Sequence, residues 1–249
     1  SMTKDHTEKI VLVVPISHTH YLVPPTGLGY LATALRQSGF TDITILDCVN
    51  EGLSFNGLSE RFKKLKPRIV GFQVFSYDFD SVVRSIGILK KVCPEAVALI
   101  GGAHVSATSM TVLEDMEEAD FGFAGEGEVG LPMLTRHILR GEMIPLENIP
   151  GLIWRDGSSI CNNARAGTED LDSLGFQAWD LMPPISYNGR PQGGFYKRFP
   201  IAPISTTRGC PYLCTFCGSG VNMGHKLRFR SMDHVLDEMV MLYKDYGVR

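Results

Sequence analysis

The residues best suited to chemistry lie near the C-terminal end of the chain: Cys210-Pro211-Tyr212-Leu213-Cys214-Thr215-Phe216-Cys217, preceded by Thr207-Arg208-Gly209. Their C-x3-C-x2-C spacing puts three thiolates on one tight loop, and such a trio can hold three corners of an iron–sulfur cube. The fourth iron then keeps an open position for a substrate or cofactor. Two other chemistries fit part of the pattern. Structural zinc takes four ligands. His225 offers a fourth, but C-x3-C-x2-C-x7-H matches no common finger spacing. Cys214 and Cys217 alone are spaced like a thioredoxin-type redox pair, but that motif opens a helix early in its fold and has no use for Cys210. Cys48, Cys93 and Cys161 are scattered, lack metal-type spacing and read as packed or reduced thiols.

The loop needs elements to hold it. Ile201 to Thr207 is expected to be a strand leading into it. Ser231 is expected to cap a helix with Val235, Met239, Leu242 and Tyr246 on one face and Gly247 at its end. Strand, cysteine loop and helix form one βα unit, the opening of a βα barrel. A barrel needs several more such units, so the domain beginning at residue 201 reads as truncated at Arg249.

The first 145 residues have a different, regular plan. Residues 9–15, KIVLVVP, are a continuous apolar run, the pattern of a strand buried on both faces. Thr26 is expected to cap a helix bearing Leu28, Leu31 and Leu35 on one face, with Gly39 beyond its end. Further strands are expected at Ile43 to Val49, Arg68 to Phe75, Ala96 to Ile100 and Asp120 to Ala124. Helices are expected at Leu58 to Leu65, Asp80 to Val92, Val105 to Glu118 and Glu128 to Arg140. Five alternations of strand and helix with short links indicate an α/β fold, a Rossmann-like doubly wound parallel sheet. Residues 146–200 then hold a hairpin turning at Asp156-Gly157, followed from 164 to 200 by an irregular linker expected to wrap one domain edge.

Ligands of open α/β sheets sit beyond the carboxyl ends of the strands. Those ends carry Thr26, Gly27 and Leu28 after strand one, Ser76 after strand three, Gly101, Gly102 and His104 after strand four, and Gly125 and Glu126 after strand five. Small residues there leave room for a broad ligand against the backbone. Glu126 and Glu128 either accept hydrogen bonds from a ligand or sit as acids in a first helical turn. Thr26, Gly27 and Ser76 read equally well as caps and turns. Gly125-x-Gly127-x-x-Gly130 literally satisfies a dinucleotide fingerprint, but it follows the fifth strand rather than the first and sets two acids where a pyrophosphate would lie.

Composition narrows the classes. The chain has 249 residues, 44% hydrophobic and 20% charged, with a formal net charge of −3. That is enough for a packed core and argues against nucleic-acid or anionic-membrane binding, since no basic block supplies the field. The aliphatic run from Ile10 to Val14 is far too short to cross a bilayer. Residues 1–9 are polar, without a visible signal peptide, and Ser1-Met2 reads as a tag scar before a native start. The six cysteines fit a reducing, cytoplasmic setting.

The cysteine loop, with its aromatic Phe216 just before the last cysteine, resembles the radical S-adenosylmethionine (SAM) family, whose signature is C-x3-C-x-aromatic-C. The segments Pro24-Pro25-Thr26-Gly27-Leu28-Gly29-Tyr30-Leu31-Ala32, Gly101-Gly102-Ala103-His104 and Gly125-Glu126-Gly127-Glu128 resemble the cobalamin (B12)-binding domain fused to many radical SAM enzymes. The whole is similar to B12-dependent radical SAM methyltransferases and to the anaerobic Mg-protoporphyrin monomethyl ester cyclase. The resemblance implies a [4Fe-4S] cluster on Cys210, Cys214 and Cys217, with SAM chelated to the open iron and Phe216 beside its adenine. It implies cleavage of SAM to a 5′-deoxyadenosyl radical, a small-molecule substrate, and an electron donor such as flavodoxin or ferredoxin. Arg208 would steady the loop through carbonyls. Cobalamin domains that replace the lower cobalt ligand carry Asp-x-His-x-x-Gly after strand one. Here that loop is Ser17-His18-Thr19-His20-Tyr21, so a cobalt ligand from His18 or His20 stays open. Two alternatives remain: a first domain that binds substrate or a partner instead of cobalamin, and a zinc-stapled, non-catalytic α/β module.

Overall fold

The structure is a computed structural model and describes residues 8–18, 22–187 and 197–249. Five parallel strands form its centre: β1 (Ile10–Val14), β2 (Ile43–Asp47), β3 (Ile69–Gln73), β4 (Val97–Gly101) and β5 (Phe121–Phe123). The hairpin β6 (Leu152–Asp156) and β7 (Ser159–Asn162) forms as expected, but its two turn residues are Gly157-Ser158, one place later than Asp156-Gly157, because Asp156 still pairs with Ser159; it joins the same sheet antiparallel, Gly122 opposite Ile153. The order is β2-β1-β3-β4-β5-β6-β7. Successive strands are added to one side of β1 (β2) and then to the other (β3 onward), so the strand order switches between β1 and β3, the place where such folds open a ligand crevice.

The apolar runs form central strands because both faces are covered. Along β1, Val11 and Val13 pack with Leu58 and Phe62 of α2 (Phe55–Leu65) and Val82, Ile86 and Leu89 of α3 (Phe79–Val92). Ile10 and Leu12 point the other way, to Leu28 and Leu35 of α1 (Thr26–Gln37) and to helix Gly130–Arg140. The period of two along the strand puts alternate residues into the two cores.

Several boundaries differ from the sequence expectation. Thr26 is the first residue of α1 rather than its cap; Pro25 holds the cap position, with no side-chain capping bond. Val105 to Glu118 is not one helix but two short ones, α4 (Ala103–Ala107) and α5 (Val112–Asp115). The hydroxyls of Ser106 and Thr108 donate to the carbonyls of Gly102 and His104 at 2.9 Å, the local bonding by which Ser and Thr compete with helix propagation. The helix after β5, α6 (Gly130–Arg140), starts later than Glu128, so neither glutamate lies in its first turn.

The linker is irregular as expected, but its described part does more than wrap an edge. Ala178, Trp179, Met182 and Tyr187 are buried in the same core as α1 and α6. Tyr187 donates to Asp47 at 3.0 Å, at the carboxyl end of β2. Residues 188–196 of the linker lie outside the described residues.

The strand expected at Ile201 to Thr207 is not formed. Only Thr207–Arg208 (β8) pairs, antiparallel with Arg228–Phe229 (β9). Arg230 N donates to the Thr206 carbonyl at 3.0 Å, but no ladder runs back over 201–205 among the described residues, and an apolar run without a partner strand does not make one. The C-terminal helix α8 (Met232–Asp245) is capped by Ser231, which accepts from His234 N at 3.2 Å. Its buried residues are Glu238 and Leu242, whereas Met239 is 50% exposed. The helix turns a carboxylate, not only an apolar stripe, toward the core.

Candidate functional site: a glycine-lined cleft beneath the cysteine loop

A cleft of about 290 Å³ opens at the carboxyl end of the sheet, at the low end of the range for small-molecule sites. Gly27, Leu28, Gly101, Gly102, Gly125 and Glu126, all anticipated from the sequence, line it. Thr26, Ser76 and His104 stand outside its wall. Ser76 Oγ is 3.0 Å from His104 Nδ1, and that ring packs edge-on against Phe79, 5.4 Å between centroids. His18 is exposed, and His20 lies outside the described residues.

The glycines make the cleft. At Gly27 an added Cβ would meet nothing within 4 Å, so a side chain there would project into open space. Gly102 holds φ +109°, and a Cβ on it would stand 3.0 Å from the Val74 carbonyl. Only glycine takes that backbone without strain. Sequence reasoning missed Gly71, in the middle of β3, which also lines the cleft. Its signal was available: an isolated glycine inside a strand marks a close approach by a ligand or another backbone. The apolar remainder includes Leu12, Leu31, Phe75 and Leu99. Exposed backbone flanked by aliphatic side chains suits a flat ligand face laid against the strand ends.

The cleft is not made by the sheet alone. Arg208, Asn222 and Met223 also line it, and these residues bracket the three cysteines. Arg208 does not bond loop carbonyls, and it is not a surface charge. It is 7% exposed and donates to Glu128 at 2.7 Å, with Glu126 at 3.3 Å. Burial opposes its charge, but Glu128 and then Glu126 more than offset that, so its pKa lies above the ordinary value. Arg228 pairs with Glu126 through both carboxylate oxygens. Both glutamates, expected to meet a ligand or a helix dipole, therefore have arginine partners supplied from far along the chain.

The loop itself faces outward. Cys210 is half-buried, Cys214 and Cys217 are exposed, and no cysteine is in a disulfide. Phe216 is 92% exposed. Cys210 N donates to the Gly224 carbonyl at 3.1 Å. His225 Nδ1 lies 3.1 Å from the Cys210 carbonyl, so that ring nitrogen is engaged by the main chain. Among the described residues, no three His, Cys, Asp or Glu side chains are gathered closely enough to hold a metal ion. The donor types fit a cluster, since there are three free thiols within one short loop, but the structure leaves them ungathered. Cys48, by contrast, is buried, and burial pushes its thiol up to about 12, so it is inert near neutrality.

The fold is an α/β domain of a known family: residues 12–135 match the family model described as B12 binding domain, and this part of the chain is a domain of that family. The longer chain is similar to an uncharacterized methyltransferase of Pyrococcus horikoshii, 28% identical over 97% of this chain and 52% of that protein. It is also similar to the anaerobic magnesium-protoporphyrin IX monomethyl ester cyclase of Rubrivivax gelatinosus, 29% identical over 90% of this chain and 40% of that enzyme. Its fold matches the cobalamin-dependent S-adenosylmethionine radical enzyme OxsB, solved with aqua-cobalamin and S-adenosylmethionine bound. The TM-score is 0.80 at 17% identity, over 98% of this chain and 33% of that one. The chain thus spans about half, or less, of the length of these proteins. No helix among the described residues is long and apolar enough to cross a membrane.

Proposed function

We propose that the chain supplies the cobalamin-binding part and the cluster loop of a radical SAM enzyme, acting on a small molecule by methyl transfer or oxidative cyclisation. One observation carries this reading: the residues bracketing Cys210, Cys214 and Cys217 form part of the wall of the B12-domain cleft. A loop bearing three thiols stands, in this reading, at the mouth of the corrinoid site, an arrangement that a separate zinc module would not need. In this reading Gly27, Gly101, Gly102 and Gly125 admit the corrinoid to the backbone, and the three cysteines hold the [4Fe-4S] cluster. When bound there, such a cluster would supply the one-electron reduction of SAM. Phe216 stands exposed at the loop tip, free to lie against an adenine. A cytoplasmic flavodoxin or ferredoxin is the proposed electron source.

The test is retention. Hydroxocobalamin added anaerobically is expected to stay with the protein through desalting and to keep its corrinoid spectrum. Gly102→Val should reduce retention about tenfold or more, because strain of about 1–3 kcal/mol and a side chain at the cleft floor act together. Loss of the corrinoid by the unaltered protein would refute the cobalamin half. For the other half, reconstitution with iron and sulfide should give broad visible sulfur-to-iron absorption. Cys214→Ala should abolish that absorption. One zinc per chain after native purification, with iron refused, would overturn the cluster assignment.

A further inference from the structure

The region between the two sites contains more charge than either needs. Glu126, Glu128, Arg208 and Arg228 have side chains only 6–8% exposed. Two acids two residues apart on one turn do not stay ionised in a dry setting without cations close by. The cations come from the two strands at the base of the cysteine loop, where Arg208 and Arg228 are register partners in the β8–β9 ladder. Arg228 also donates to the carbonyls of Thr168 at 2.8 Å and Met223 at 3.0 Å. Beyond the cysteines, α7 (Ser219–Met223) is tied down separately. Asn222 Oδ1 lies 2.8 Å from Ser106 Oγ and shares that hydroxyl's single proton with the Gly102 carbonyl, and the hydroxyl oxygen accepts from Gly125 N at 2.9 Å. Arg165 links Val221 to Ser106 through their carbonyls.

We propose that Glu126, Glu128, Arg208 and Arg228 form a charge clamp that positions the cysteine loop over the cleft. The turn after β5, rather than the loop's own packing, then sets how the two sites face each other. These are positioning residues. The idea rests on the reading that cleft and loop serve two cofactors, but the clamp is legible without either cofactor. The coupling is reciprocal: whatever orders the turn also orders the loop, and the reverse.

Hydrogen exchange on the ligand-free protein tests it. In Glu126→Gln/Glu128→Gln, amide exchange across residues 205–230 should accelerate by roughly an order of magnitude or more, while β1 to β4 stay unchanged, as for local rather than global opening. Arg208→Lys keeps the charge but loses the two-pronged geometry and should fall between. Exchanging the partners, Arg208→Glu with Glu128→Arg, should restore part of the protection. Chelator should strip iron faster from the reconstituted glutamine variant than from the parent. Unchanged exchange at 205–230, or acceleration spread evenly over the sheet, would overturn the clamp. If the parent protein holds neither corrinoid nor iron yet shows this exchange pattern, the functional reading fails and the clamp stands.

Discussion

Glu238→Ala is expected to lower stability by about 3–5 kcal/mol, the range for stripping one partner from a buried ion pair. Glu238 is fully buried on α8. One oxygen receives Trp179 Nε1 at 2.8 Å, and the other receives Arg230 at 2.6 Å. Arg230 is 7% exposed and also donates to the Ser205 carbonyl at 3.0 Å. Without the carboxylate, the Arg230 guanidinium keeps its carbonyl bond but loses its counter-charge, and the Trp179 indole N–H loses its acceptor, in a dry interior. Against a total stability of about 5–15 kcal/mol, that loss removes much of the folded state's margin. Thermal or urea unfolding measures it. Glu238→Gln should cost less, since an amide oxygen still accepts from Trp179. Arg230→Met with Glu238→Leu should recover part of the loss, as replacement of a whole buried pair often does. A change below about 1 kcal/mol for Glu238→Ala would mean that water reaches the pair and that α8 does not seal this core.

Gly209→Ala should act on the loop and spare the sheet. Gly209 holds φ +89° between Arg208 and Cys210, and a Cβ there would sit on the Lys226 carbonyl, well inside van der Waals contact. Two penalties combine: a left-handed backbone that L-residues avoid, and a collision with main chain that no rotamer change can relieve. The peptide must swing away, which breaks the Cys210 N to Gly224 bond and moves the first cysteine off its base. Iron retained after reconstitution is expected to drop about tenfold or more, from strain of about 1–3 kcal/mol at 1.4 kcal/mol per decade. Corrinoid retention should change far less. Gly218→Ala is the control, since a Cβ at Gly218 meets nothing within 4 Å. Iron loading that survives Gly209→Ala would show that the loop rebuilds itself around metal whatever its starting backbone.

The sheet was legible because both its faces are covered. Runs such as Ile10–Val14 and Ile69–Gln73 carry their own evidence of burial, and glycines at strand ends announce where the backbone is approached. What failed to show was long-range. Nothing local to Arg208 predicts Glu128, 80 residues earlier, as its partner, and no periodicity marks Glu238 as a core residue. The apolar stretch 201–206 looks like a strand because sequence pattern reports side-chain burial and not whether a neighbouring ladder exists. Ser106 and Thr108 interrupt a helix that their apolar neighbours would otherwise sustain, since their hydroxyls offer the backbone competing partners.

The connecting segment bears on how such proteins recombine. Trp179, Met182 and Tyr187 lie in one core with Leu28 and Leu35 of α1 and Leu242 of α8, so the exchangeable module does not end where the β–α alternation ends. A chimera joined near residue 145 would graft a foreign tail onto a groove shaped for this one. To breed true, a transplant must carry the sheet, the strap across it and the terminal helix together.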